Sequence, residues 1–166
     1  VTSNHSIRAE FKLKSTYSLN ITSLHGTITK LPNLETYVEN TEVTVTVLAD
    51  SGYTFTGWTG AVTSGQNEVK VTMNGNKSLL ANFAPKTYTI GVSKTPGGTI
   101  TPSTNTTITH GANQTFTITP DSTYLIDKVF VDNVSQGAIP SYPFTNVTSN
   151  RSIRAEFKLK TYTLTV

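Results

Sequence analysis

The sequence predicts an all-β fold of two tandem, small antiparallel repeats of about 70 residues each, sandwich-like or β-grasp-like, with six short strands apiece. Three observations predict it. Thr, Ser, Asn, Val and Ile dominate, strong helix formers are scarce and only 14% of residues are charged, so propensity leans to strands joined by polar turns. Apolar residues alternate with hydroxyl-bearing ones in run after run, the period of a half-buried strand. The same order of segments also occurs more than once along the chain.

The repetition sets the boundaries. Val1-Thr-Ser-Asn-His-Ser-Ile-Arg-Ala-Glu-Phe-Lys-Leu-Lys14 returns at residues 147–160 with one difference, His5 standing where Arg151 stands. A diverged third copy places Leu79-Leu-Ala-Asn-Phe83 where Ile153-Arg-Ala-Glu-Phe157 stands. Phe11, Phe83 and Phe157 lie 72 and 74 residues apart, and Tyr17, Tyr88 and Tyr162 lie 71 and 74 apart. Residues 1–14 therefore read as the closing strand of a preceding repeat. Residues 15–86 read as repeat A, 87–160 as repeat B and 161–166 as the opening strand of a following one.

Within each repeat the elements come in a fixed order. Tyr17, Leu19 and Ile21, like Tyr88, Ile90 and Val92, mark the inward side of an opening strand. A tight hairpin turn is expected at Leu24-His-Gly-Thr-Ile-Thr29 and Pro96-Gly-Gly-Thr-Ile-Thr101, where Gly26, Gly97 and Gly98 can take positive φ. Val43, Val45 and Val47 alternate with Thr44 and Thr46, as Phe116 and Ile118 alternate with Thr115, Thr117 and Thr119. After Asp50 or Asp121 a further strand starts at Tyr53 or Tyr124 and runs to Trp58 or Val129. Val69, Val71 and Met73, or Phe144 and Val147, mark the penultimate strand. The closing strand turns Ile153, Ala155 and Phe157 inward and Arg154, Glu156 and Lys158 outward.

A unit of about 70 residues is close to the smallest size at which one core suffices, so neighbouring repeats of the same chain are expected partners. The joins between repeats are short, and Leu13 and Leu159, each flanked by lysines, are the candidates for packing at the junctions.

Several motifs carry a family resemblance. Gly52-Tyr-Thr-Phe-Thr-Gly-Trp-Thr-Gly60, Val69-Lys-Val-Thr-Met-Asn-Gly-Asn-Lys77 and Ala81-Asn-Phe83 follow the opening Tyr17-Ser-Leu-Asn-Ile21 and the Gly26-Thr-Ile28 turn. In this order they resemble the divergent internalin-type B-repeats of bacterial surface proteins. Residues 96–102, 111–120 and 131–137 resemble a sister version found in large secreted bacterial and archaeal proteins. The second repeat departs from the first in carrying Asp127-Lys-Val-Phe130 in place of the Gly-Trp-Thr-Gly motif, so a ligand role tied to Trp58 is not general. The resemblance implies tandem arrays in stalks, adhesins, surface-layer-like proteins and multidomain secreted enzymes, usually as spacers without known catalysis.

The residues themselves point away from chemistry. With no Cys, disulfides, thiolate metal sites and a Cys nucleophile are excluded. His5, His25 and His110 lie in separate segments without ligand spacing, so no metal and no cofactor is expected. No nucleophile elbow or phosphate-cradling loop occurs, and no catalytic residue is expected. Asp50 and Asp121 hold equivalent places before the Tyr strand, where Asp closes turns. A net charge of +3 is carried largely by the runs 8–14 and 154–160, interrupted by Glu10 and Glu156 and without aromatic platforms, which argues against nucleic acid. No apolar run approaches the ~20 residues of a membrane helix, so no membrane insertion is expected. The chain opens at Val1 without a leader and reads as an interior piece of a larger protein. Trp58 is either a core residue or an exposed sugar-stacking platform, and Val129 at its equivalent position favours the core. Asn20, Asn76, Asn105, Asn113, Asn133 and Asn146, together with Asn4 and Asn150, head Asn-x-Ser/Thr sequons and are candidate glycosylation sites.

The function expected is a non-enzymatic, semi-rigid stalk or adhesin spacer, extracellular or on a cell surface. Two alternatives stand beside it. One is a filament or surface-layer subunit that self-associates by strand complementation through its terminal segments. The other is a carbohydrate-binding accessory module for host or cell-wall glycans, which requires exposed aromatics around Trp58 or Tyr142.

Overall fold

A computed structural model describes residues 6–163. Asn4 and His5, and residues 164–166 of the expected following strand, lie outside them. The chain is all-β and divides between Ala84 and Pro85 into two units.

In unit 1 the elements are β1 (Thr16–Tyr17), β2 (Leu19–Thr22), β3 (Gly26–Leu31), β4 (Tyr37–Val38), β5 (Glu42–Ala49), β6 (Tyr53–Gly60), β7 (Glu68–Thr72) and β8 (Lys77–Pro85). Two three-stranded sheets, β2-β8-β6 and β3-β5-β7, enclose the core, and β1 pairs with β4. Unit 2 repeats the plan with β9 (Thr87–Lys94), β10 (Gly98–Thr101), β11 (Thr106–Thr109), β12 (Gln114–Pro120), β13 (Tyr124–Val131), β14 (Val134–Ser135), β15 (Ser141–Phe144) and β16 (Arg151–Leu159). Its sheets are β11-β9-β16-β13-β14 and β10-β12-β15.

Alternation forms these strands. Val43, Val45 and Val47 of β5 are buried while Thr44 and Thr46 are half-buried on the opposite face. Phe116 and Ile118 of β12 are buried while Thr115, Thr117 and Thr119 are exposed. The aromatic volume is distributed differently in the two cores. Trp58 and Val45 in unit 1 correspond to Val129 and Phe116 in unit 2, and Val71 corresponds to Phe144, whose ring meets Phe116 edge-on at 5.8 Å. The space that Trp58 fills in one repeat is filled from the other sheet in its neighbour, as conservation of core volume requires.

Four expectations need correction. Among the described residues each unit has eight strands, not six, because the added pieces β1, β4, β11 and β14 carry too few residues to show a period. The sheets are not purely antiparallel: the opening and closing strands run parallel, Leu19 to Thr22 against Lys77 to Leu80 and Ile90 to Lys94 against Arg151 to Ala155. Alternation reports which face is buried and carries no information on strand direction. The turns at residues 23–25 and 95–97 are not hairpins, since β2 and β3, like β9 and β10, lie in different sheets and the chain arches across the sandwich. Residues 6–15 carry no strand, and Ile7 and Phe11 are almost fully exposed. Their counterpart β16 sits between β9 and β13, and no strand stands on either side of residues 6–15 among the described residues.

Candidate functional site

Gly26 and Gly98 open equivalent strands for a reason unrelated to positive φ. A Cβ on Gly26 would lie 2.7 Å from the Phe83 ring and 2.8 Å from the Leu48 carbonyl oxygen. On Gly98 it would run into the Phe157 ring and stand 2.6 Å from the Thr119 oxygen. The closing-strand Phe therefore dictates the glycine. Above it a Tyr is covered in two ways: in unit 1 His25 stacks on Tyr53 at 3.8 Å, and in unit 2 Gly97 lies over Tyr124. His110 instead reaches the Tyr88 hydroxyl with Nδ1 at 3.3 Å. Among the described residues no cluster of His, Asp and Glu has the geometry to hold a metal ion.

The Asp turns are closed by the backbone. Tyr53 N–H donates to the Asp50 carbonyl at 3.0 Å and Tyr124 N–H to the Asp121 carbonyl at 2.9 Å. Ion pairs line the closing strand of unit 2. Arg154 pairs with Glu156 and lies over the Phe130 ring, and Lys158 Nζ stands 2.9 Å from Asp127. The hydrogen bond and charge of Lys158 hold the Asp127 carboxyl below its ordinary value, and in unit 1 Glu42 likewise raises the Lys70 amine.

Trp58 is 1% exposed. Its indole N–H donates to the Gln66 carbonyl at 3.0 Å, its backbone bridges Ser64, and Phe55 meets it at 5.3 Å. Gly57 (φ 142°) and Gly60 (φ 107°) bend the strand around it through backbone regions that side chains avoid. A buried ring whose only polar atom is satisfied cannot present a stacking face, so the platform role fails on geometry. Tyr142 is likewise half-buried against Phe144 at 4.9 Å. An open depression of about 580 Å³ beside Trp58 is walled by Thr56, Thr59, Thr63, Ser64 and Asn82. The Asn82 amide donates to the Gly57 carbonyl at 3.0 Å and to Thr59 Oγ1 at 3.1 Å.

The sequon asparagines have duties that the sequence did not reveal. Asn76 Oδ1 accepts from the Ser18 amide at 3.0 Å, and Asn150 Oδ1 from the Thr89 amide at 2.9 Å. These are equivalent positions, so each repeat uses an Asn to clasp its opening strand to its closing one. Asn105 Oδ1 takes the Val92 N–H and Asn113 Oδ1 the Asn146 N–H. Asn133 (φ 65°) and Asn146 (φ 48°) occupy left-handed turn positions, which Asn tolerates, and Asn20 is exposed on β2. The recurrence of Asn-x-Ser at one phase of the repeat was the available signal for the clasp.

The profile of the divergent InlB B-repeat domain matches residues 17–87 and again 88–161. The chain belongs to this family. Among curated proteins and among solved structures, none matches it. The closing-strand Phe over a Gly, the Asn clasp and the parallel pairing of first and last strands thus recur in both B-repeats. Leu13 and Leu159, the expected junction residues, are 95% and 61% exposed. Family membership makes the chain a repeat module of the kind found in surface proteins.

Proposed function

We propose that these two B-repeats act as a semi-rigid, non-catalytic spacer in a stalk or adhesin outside the cell. The observation that carries the reading is the join: β8 ends at Pro85 and β9 begins at Thr87, so Lys86 alone separates the last strand of one repeat from the first strand of the next, and each repeat encloses a core of its own. A one-residue join restricts swinging, and serial repetition then yields reach. A spacer needs no cleft with convergent titratable groups, and the depression beside Trp58 is open and hydroxyl-rich. Leu13 and Leu159 are proposed to pack at junctions with adjoining repeats in longer arrays.

Small-angle scattering combined with light scattering tests this. A concentration-independent monomer with a radius of gyration well above the ~15 Å of a compact chain of this length is expected. A compact monomer would overturn the spacer. Growth into longer particles with concentration would transfer the assignment to a self-assembling fibre.

A further inference from the structure

The two repeats treat the outer edge of the opening strand differently. In unit 2 that edge is covered: Thr106, Thr107, Ile108 and Thr109 of β11 pair antiparallel with Ile90, Thr89, Tyr88 and Thr87 of β9. One step further Val92 N–H donates to Asn105 Oδ1 at 2.9 Å. In unit 1 the pairing of β1 with β4 stops at Thr16↔Val38 and Tyr17↔Tyr37. Leu19 and Ile21, the equivalents of Ile90 and Val92, therefore have no strand along the side of β2 that faces away from β8 among the described residues.

One side chain accounts for the difference. Tyr37 stands where unit 2 has Ile108. Its hydroxyl donates to the Pro32 carbonyl at 3.0 Å and accepts from the Leu34 amide at 3.3 Å, while Lys30 Nζ donates to the Leu34 carbonyl at 3.0 Å. These bonds curl residues 32–36 onto themselves, whereas Ile108 offers no such anchor and residues 105–107 lie straight along β9. The space left over in unit 1 is a cavity of about 410 Å³ between the sheets, floored by Leu19, Ile21 and Ile28 and rimmed by Thr29, Lys30 and Asn33.

We infer that the open edge of β2 is a docking site for an extended peptide segment of a partner protein, which adds antiparallel to β2 and places one apolar side chain over Ile21 and Ile28. Strand addition takes its affinity from main-chain hydrogen bonds and its selectivity from alternate side chains. The chemistry of the occupant follows from what meets Ile90 and Val92 one repeat later, Thr106 and Asn105, and from the apolar floor: an uncharged, Thr- and Asn-rich strand with one apolar residue for Leu19, Ile21 and Ile28, without proline at the pairing positions. This site is additional to the spacer role and stands or falls apart from it.

The test uses the full chain, 15N-labelled, and a synthetic peptide of residues 102–109, Pro-Ser-Thr-Asn-Thr-Thr-Ile-Thr. Saturable shifts confined to the amides of residues 19–22 and 28–33 are expected, with residues 87–92 unmoved as an internal control. A peptide carrying Thr106→Pro and Ile108→Pro lacks the pairing N–H groups and is expected to bind at least about tenfold more weakly. Ile28→Trp, which fills the cavity, is expected to abolish the shifts while the rest of the spectrum is retained. The proposal is overturned by an absence of saturable shifts at millimolar peptide, by shifts spread over both units, or by equal binding of the proline peptide.

Discussion

At the scale of single residues, two kinds of side chain carry obligations that their chemical type does not announce. Gly98 is the sharper case, because the obstacle to a Cβ includes the Thr119 carbonyl oxygen at 2.6 Å, and backbone cannot swing aside as a side-chain tip can. Gly98→Ala is expected to destabilise unit 2 by about 1–3 kcal/mol, the usual cost of overpacking, in a urea titration followed by NMR. Gly26→Ala should do the same to unit 1. Unchanged midpoints would show that the ring and strand yield more easily than the geometry indicates. The Asn clasp is weaker, since its partners are exposed and water can replace it. Asn150→Ala is expected to cost about 1 kcal/mol and to raise the hydrogen-exchange rate of the Thr89 amide, while Asn150→Asp, which keeps an acceptor, preserves the protection.

At the scale of elements, the legible part of the fold is the part encoded in alternation. β5, β12 and β16 stand where Val43 to Val47, Phe116 to Ile118 and Ile153 to Phe157 put them, because every second residue is apolar and the other face is polar. Strand direction was not legible, since the parallel contact of β9 with β16 joins residues about 60 positions apart and leaves no local trace. The short β4 was hidden for the opposite reason: Tyr37 looks like any strand aromatic, and its hydroxyl acts on a loop that precedes it. Of the candidate site residues, Trp58 was legible through Val129, whereas the Asn clasp was masked by the glycosylation pattern it happens to satisfy. The pairing of β13 with β16 also makes a pH prediction. Because Lys158 lowers the folded-state value of Asp127, the pair's contribution is present above the ordinary aspartate value of 3.8 and fades as pH falls through the lowered one. The stability difference between the chain and its Asp127→Asn variant should therefore shrink as acid is added below that range. It should also shrink with salt, because Lys158 is exposed and Asp127 only half-buried, so ions reach the pair. A difference that stays constant from neutral to strongly acid pH would remove the ion pair as its cause.

For the whole molecule, the question is whether two B-repeats that follow each other directly behave as one cooperative body or as two. Each core is complete in itself, and the single tryptophan of the chain is buried in only one of them. Trp58→Ala removes a fully buried ring together with the hydrogen bond to Gln66 and is expected to cost unit 1 about 3–5 kcal/mol. That is comparable to the whole stability of so small a unit, so the amide signals of residues 16–84 should collapse at low urea. If stability in the array is a sum of repeat terms and nearest-neighbour terms, the signals of residues 87–160 persist, and the displacement of their midpoint measures the coupling across Lys86. A small displacement makes the array a string of independent beads whose stiffness comes from linker geometry alone. Loss of both sets of signals at one midpoint would instead make the pair a single folding unit, and a stalk built from such pairs would yield as a whole.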